Sequence, residues 1–202
     1  MSSRRAGNLQ LGSKVVELLV KQRRPMLMVD FVHAFVTDPI PAIEAGRHIS
    51  MNEPFFEGHF PDMPMWPAAL SMEGLGQSAT ILTVLTVLTR AASEAHEDPE
   101  QVLESLRNLD RGYRMHPGYQ RVDLHPLVAR LRNGEAPVAV GAAVDLKFMQ
   151  PVFPGCRLDY HVQWTGDYGD FARFDAEASV SGTPVVKGTL TGAWTRNPLP
   201  KV

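Results

Sequence analysis

A long, nearly uncharged stretch, residues 67–92, most constrains the fold, because a helix that is apolar on nearly every face must be enclosed by protein. Its greasiest run, ATILTVLTVL at 79–88, is far shorter than the about 20 residues that a membrane span needs. Pro67 suits the first helical turn, where an N–H group would lack a partner. Gly74 and Gly76 each cost about 1 kcal/mol relative to Ala in a helix, which indicates that something packs very close to it.

The second half of the chain predicts a sheet. Apolar and polar residues alternate with period two in three segments, which is typical of antiparallel strands solvated on one face. The turn sequences GDYGD and SGTP separate them. The prediction is an α+β layer architecture with a sheet of about five or six strands beside one long helix. Such a sheet covers the helix completely only if it curls around it or pairs with a second copy. The predicted strands are 26–36, 42–51, 137–149, 157–165, 173–180 and 186–194.

The remaining segments predict less regular structure. Residues 1–12 are interpreted as a flexible lead, and 13–22 as a short helix with Ser13 as its N-cap. A helix is predicted near 99–109, followed by an irregular or mixed segment that ends near residue 134.

Composition excludes several classes of protein. The 202 residues are enough for one domain, 1–202, and the formal net charge of −2 argues against a general nucleic-acid binder. The lone Cys156 excludes an internal disulfide and fits a reducing compartment. The N-terminus lacks the apolar run of a signal peptide, so a cytoplasmic location is predicted. The histidines other than His59 lack metal-type spacing, and no phosphate-binding glycine loop or nucleophile elbow is present.

Two titratable residues stand out around residues 52–77. His59 lies in a proline-rich loop that ends at a helix N-terminus, where unpaired N–H groups attract developing negative charge. Glu73, about two turns into the helix, has apolar neighbours, and a desolvated carboxyl group favours its protonated form and can act as an acid. A neutral histidine can act as a base. The alternatives are a structural histidine and a solvent-facing glutamate.

This segment resembles the signature of the bacterial 3-hydroxyacyl-acyl carrier protein dehydratases. Weaker resemblance extends to Arg24–Asp30 and to parts of 144–158. In total the resemblance covers most of residues 14–90 and 136–195. The matching residues are Asn52, Glu53, Pro54, Phe55, Phe56, Gly58, His59, Phe60, Pro61, Pro64, Pro67, Leu70, Glu73 and Gln77.

The resemblance implies a hot-dog fold, in which a curled antiparallel sheet wraps one long helix. It also implies a homodimer, often assembled further into hexamers, whose sites combine the histidine of one subunit with the acid of the other and need no cofactor or metal. His59 would abstract the C2 proton of the thioester, and Glu73 would protonate the departing C3 hydroxyl. The Ala68 N–H would polarise the thioester carbonyl, while Gly58 and Gln77 would help to shape the site.

Three departures from the family pattern concern the substrate. The family usually has Gly at the position of Ala68, so a methyl group lies where a thioester must approach. Its usual Met is replaced by Trp66, which predicts a reshaped acyl tunnel; Phe60 is also predicted to contact substrate. Segment 91–134 is longer than the usual connection and is interpreted as an insertion.

The predicted function is a lyase that eliminates water from carrier-bound 3-hydroxyacyl thioesters to give trans-2-enoyl thioesters, in fatty-acid, polyketide or related lipid biosynthesis. One alternative is a thioesterase or a dehydratase–isomerase on the same fold, although the isomerase group typically has Asp at the Glu73 position. The other is a non-catalytic subunit or sensor that binds acyl thioesters.

A basic stretch, 107–132, suggests a partner surface. Acyl carrier proteins are acidic, and a basic surface speeds their docking. One hypothesis is that Arg107, Arg111 or Arg114 contacts the carrier; the alternative is a solvated face balanced by the acidic stretch 94–104.

Overall fold

A computed structural model describes residues 7–115, 123–134 and 139–194. In these ranges the chain forms a seven-stranded antiparallel sheet with the order β1-β2-β3-β5-β6-β7-β4. The strands are β1 (Gly7–Leu11), β2 (Phe31–Val36), β3 (Ala42–Ile49), β4 (Ala139–Phe148), β5 (Cys156–Tyr168), β6 (Phe171–Val180) and β7 (Thr183–Trp194). The helices are α1 (Ser13–Leu19), α2 (Ala68–Glu94), α3 (Pro99–Met115) and α4 (Pro126–Arg132).

The curled sheet wraps α2, which confirms the expected hot-dog fold. In β5 the side chains of Leu158, Tyr160 and Val162 are buried against the helix side, whereas Arg157 and His161 point outward. This period of two gives each inner strand one apolar face for the core. Sixteen residues of α2 are buried, since sheet covers one side of the helix and α1 and α3 pack on another.

Gly74 marks the closest approach between α2 and the sheet. A β-carbon at this position would fall well inside contact distance of the Tyr160 hydroxyl. Burial raises the pKa of this hydroxyl, so Tyr160 stays neutral in the core. The expected close packing is therefore found at Gly74, while a β-carbon on Gly76 would meet nothing within 4 Å.

The N-terminal lead predicted over 1–12 differs from the prediction from residue 7 onward, and residues 1–6 lie outside the described ranges. Gly7–Leu11 is not a flexible segment but strand β1, paired with β2 at the edge of the sheet. This strand raises the count from the predicted five or six to seven. The first helix begins at Ser13 with Gly12 as its N-cap residue, so Ser13 is inside the helix and does not cap it.

Other element boundaries also shift. The predicted strand 26–36 is a strand only over Phe31–Val36, and the helix predicted near 99–109 continues to Met115. The segment predicted to be irregular or mixed contains α4, and its residues 116–122 lie outside the described ranges.

A buried carboxylate ties α3 to the N-terminal segment. Asp110 is 4% exposed, accepts a 2.8 Å hydrogen bond from the Gly12 N–H 98 residues away, and is ion-paired with Arg114. The carboxylate on α3 thus supplies an acceptor for the N–H of Gly12, the N-cap residue of α1, at a helix N-terminus that has no side-chain cap of its own. None of the helices in the described ranges combines the length and apolar character required to cross a membrane.

Candidate active site

His59 is held in a tightly bonded loop between a short 3-10 helix, Pro54–Glu57, and the start of α2. Its N–H donates to Phe55 O at 3.0 Å, and its carbonyl accepts from Met65 N–H at 2.9 Å. The peptide bond that joins His59 to Phe60 is cis. Both backbone groups of His59 are therefore engaged in hydrogen bonds within this loop.

The ring itself is fixed by a single hydrogen bond. Nδ1 of His59 lies 2.8 Å from Met65 O. A carbonyl oxygen only accepts, so Nδ1 carries the proton, and Nε2 of the neutral ring holds a lone pair. The half-buried imidazole can therefore accept a proton through Nε2.

A cavity of about 360 Å³ lies beside this ring. Ala68, the first residue of α2, borders it and has an N–H group without a partner inside the helix. The cavity is thus bordered by the His59 imidazole and by the N-terminus of α2. Its lining residues are His59, Met65, Trp66, Ala68, Ser71, Phe148, Met149, Gln150, Pro151, Val152 and Val186.

Glu73 lies in a separate polar cluster on α2. Its Oε1 accepts hydrogen bonds from Gln77 Nε2 at 2.8 Å and from Gln22 Nε2 at 3.2 Å. Gln77 is 1% exposed, and its amide also bonds Met26 O at 2.6 Å and Met28 N–H at 2.8 Å. The carboxyl group is therefore half-buried and held by two amides.

Within one chain, some of the predicted site residues border the cavity and others lie in the polar cluster around Glu73. His59, Trp66 and Ala68 border the cavity, whereas Glu73 and Gln77 are not among the described residues that line it. Phe60 is 47% exposed and stacks on the His59 ring with centroids 4.3 Å apart. Gly58 is exposed, and its N–H donates to Phe55 O at 3.3 Å.

Trp66, which replaces the family's usual Met, is 2% exposed and forms part of the cavity wall. Its ring packs edge-on against Phe55 and Phe56, and Arg47 Cζ lies 5.3 Å from its centroid. Its backbone N–H donates to Val152 O at 2.8 Å, which joins this wall to the chain that follows β4.

A buried ion pair fixes the start of the loop that carries His59. Arg47 is 8% exposed and bonds both carboxylate oxygens of Glu53 at 2.9 Å. It also donates to Leu27 O at 2.5 Å, and Asp30 lies 3.7 Å away. Since Glu53 precedes the 3-10 helix that leads to His59, this pair anchors the motif to β3.

The sequence analysis did not identify several residues that line the cavity or contact Glu73. Ser71 lies three residues after Ala68, a spacing that puts both on one helix face and was a usable signal. Val152 and Gln22 come from distant segments, and no local pattern connects them to the motif. Among the described residues, no group of three or more His, Cys, Asp and Glu side chains is arranged to hold a metal ion.

The arginines proposed to contact a carrier are engaged within α3. Arg107 pairs with Glu100 and Glu104 at 2.6 and 2.9 Å, and Arg111 also pairs with Glu104. Arg114 pairs with Asp110. These contacts favour the alternative of a charge-balanced face.

Sequence comparisons connect the chain to a known family. The profile of the FabA-like domain matches residues 20–109. A 3-hydroxyacyl-acyl-carrier-protein dehydratase FabZ from Polynucleobacter asymbioticus is 36% identical over 135 residues, which cover 65% of this chain and 81% of that protein. The FabZ of an Anaeromyxobacter species is 28% identical over 187 residues, which cover 93% and 92%. The FabZ of Burkholderia cenocepacia is 39% identical over 92 residues; this match covers 46% of the chain and about half, 54%, of that relative.

Solved structures agree on the fold. The dehydratase heterocomplex ApeI:P from Xenorhabdus doucetiae gives a TM-score of 0.51 at 12% identity, covering 91% of this chain and 93% of that one. A mutant thioesterase from Pseudomonas aeruginosa gives 0.50 at 12% identity over the same shares. Identity this low shows the fold alone, but the sequence matches go further: the chain belongs to the family of bacterial 3-hydroxyacyl-acyl-carrier-protein dehydratases.

Proposed function

We propose that this protein eliminates water from 3-hydroxyacyl thioesters, bound to acyl carrier protein, to give trans-2-enoyl thioesters in fatty-acid, polyketide or related lipid biosynthesis. The observation that carries the proposal is the His59 ring, with Nδ1 bonded to Met65 O and Nε2 left as a base beside the cavity. Membership of the dehydratase family supports the same reaction.

The reaction uses two proton transfers. His59 Nε2 takes the C2 proton while the Ala68 N–H stabilises the negative charge that develops on the thioester oxygen. The electron pair of the C2–H bond forms the C2–C3 double bond, and the C3–O bond breaks. Glu73 gives its proton to the departing hydroxyl, which leaves as water. Return of the proton from His59 to Glu73 resets the site.

We further propose that each site combines two subunits, since Glu73 does not line the cavity of its own chain. The exposed edge of β4 is the surface proposed for the partner: Val140, Val144 and Phe148 are each about half exposed there. A long apolar edge strand presents unpaired backbone groups that a second chain can pair with. Residues 148–152 then form one wall of the cavity, so a second copy on β4 would reach the site. Assembly into hexamers, the 91–134 insertion and a cytoplasmic location stay predictions.

Val144→Glu is expected to convert the dimer to a monomer. A twofold interface repeats the new charge, and like-charge contacts cost several kcal/mol, which raises the dimer Kd by about 10²-fold or more. Sedimentation velocity measures this change, and dehydration activity should fall with it. Tyr168→Glu is the matched control, because Tyr168 is 63% exposed but lies at the β5–β6 turn. A Val144→Glu protein that remains dimeric would contradict this interface.

The reaction is tested with purified protein and a 3-hydroxyacyl thioester by following enoyl absorbance and free thiol together. Enoyl formation without thiol release is expected. Thiol release would indicate a thioesterase, formation of a shifted double bond would indicate an isomerase activity, and binding without either product would indicate a non-catalytic subunit or sensor.

For the carrier, we propose the basic run at 21–24 in place of α3. Lys21, Arg23 and Arg24 are exposed, and within the described ranges none is paired with a carboxylate. Lys21 and Arg23 contact only backbone carbonyls among the recorded bonds. Gln22, inside this run, contacts Glu73. Unneutralised positive charge beside the acid suits an acidic carrier.

The double substitution Lys21→Glu/Arg24→Glu is expected to raise KM for carrier-bound substrate about tenfold or more, while a short pantetheine analogue keeps its KM. The carrier effect should shrink as salt screens the charges. Arg111→Glu serves as the matched control on α3 and should leave both KM values unchanged. Equal effects of the double substitution on both substrates would reject this docking surface.

A further inference from the structure

Gln22 reaches the proposed acid from outside the recognised motif. It lies in the loop after α1, 51 residues before Glu73, and its Nε2 is 3.2 Å from Glu73 Oε1. Gln77 donates to the same oxygen at 2.8 Å. Two amides thus converge on one carboxyl oxygen.

The orientation of the Gln77 amide is determined by its other contacts. Its Nε2 faces Met26 O at 2.6 Å, and its Oε1 faces the Met28 N–H at 2.8 Å. A reversed amide would set oxygen against carbonyl oxygen and N–H against N–H. Gln77 therefore presents a donor to Glu73, and Oε1 of Glu73 is an acceptor.

Resting on the proposed function, we infer that Gln22 is a positioning residue that selects the proton-bearing oxygen of Glu73. An oxygen that accepts two N–H donors does not direct a proton at them, so the proton of the neutral acid sits on Oε2. Among the described residues, no donor to Oε2 is recorded. Oε2 is thereby the oxygen that delivers the proton to the departing hydroxyl.

Gln22 also acts as the proton leaves. The carboxylate that forms on Glu73 accepts stronger hydrogen bonds than the neutral acid. The Gln22 bond therefore strengthens towards the transition state, and an interaction of this kind raises kcat more than it lowers KM. Because Gln22 is half-buried in a loop, losing its amide should not unfold the protein.

The test compares Gln22→Met, which keeps the length without the donor, with Gln22→His, which restores an N–H donor. Gln22→Met is expected to lower kcat about ten- to hundredfold with KM within about threefold, since one bond to a charged group is lost. The alkaline limb of the kcat profile should move to higher pH, because the lost donor favoured the carboxylate. Gln22→His should recover part of kcat. Lys14→Met, on the exposed side of α1, is the nearby control and should keep kcat on the pantetheine analogue.

An infrared titration separates this inference from the reaction. The carboxyl band assigned to Glu73 by difference against Glu73→Gln should titrate at higher pH in Gln22→Met than in the natural protein, whether or not dehydration occurs. A protein without dehydration that shows this shift would refute the proposed reaction and leave the Gln22 contact standing. Unchanged kcat, pH profile and carboxyl titration in Gln22→Met would overturn the inference.

Discussion

His59→Ala and Glu73→Gln proteins are each expected to lose about 10²- to 10⁴-fold of the dehydration rate, as is typical when a general base or acid is removed. Glu73→Gln keeps an oxygen that can accept from Gln22 and Gln77, so the polar cluster should survive. His59→Asn tests the loop separately, because its amide can still donate to Met65 O while Nε2 is lost. The rate of enoyl formation is measured for each of the three variants, and full activity in any of them would contradict the assigned roles.

Mixing the two inactive proteins is the sharper form of this experiment. After joint unfolding and refolding, a mixed dimer of His59→Ala and Glu73→Gln chains contains one intact site if each site takes its base and acid from different subunits. Random pairing should then restore about a quarter of the natural activity. No recovery in dimers shown by mass spectrometry to be mixed would contradict a shared site.

Arg47→Met is expected to reduce the free energy of unfolding by about 3–5 kcal/mol, because removing one partner of a buried ion pair leaves the other charge without compensation. The Glu53 side chain is 14% exposed and accepts both of its recorded bonds from Arg47. The substitution also removes the bond to Leu27 O. Since the pair anchors the loop that carries His59, activity should fall at temperatures below the melting transition.

Thermal unfolding at a fixed protein concentration measures this loss. The double substitution Arg47→Met/Glu53→Met provides the matched comparison, since apolar residues in place of both charges avoid an unpaired carboxylate. It should be less destabilised than Arg47→Met alone, so that the two effects are far from additive. A double variant as unstable as the sum of the single ones would show that the pair does not act as a unit.

Local patterns predicted most elements of this fold. The helix predicted over 67–92 is found at Ala68–Glu94, and the strand predicted over 42–51 is found at Ala42–Ile49. Both signals come from residues close in the chain, where the period of apolar side chains reports burial. The prediction failed for Gly7–Leu11, because that strand exists through its pairing with β2, more than 20 residues away.

The candidate site divides in the same way. The motif identified His59, and the structure adds the bond to Met65 O that sets its tautomer. The resemblance predicts that His59 of one subunit faces Glu73 of the other, and within one chain Glu73 does not line the cavity bordered by Ala68, the first residue of α2. The roles of both residues stay predictions until the variants are measured.

From the amino-acid sequence alone follow the enclosed helix, the alternating strands and the family motif, because each depends on neighbours within a few residues. The tertiary structure alone decided that Gln22 contacts Glu73 and that Asp110 accepts from the Gly12 N–H, over separations of 51 and 98 residues. Such contacts depend on how the sheet and helices pack. The need of a polar group for a hydrogen-bond partner produces no periodic pattern in the sequence, so the partner cannot be identified from neighbouring residues.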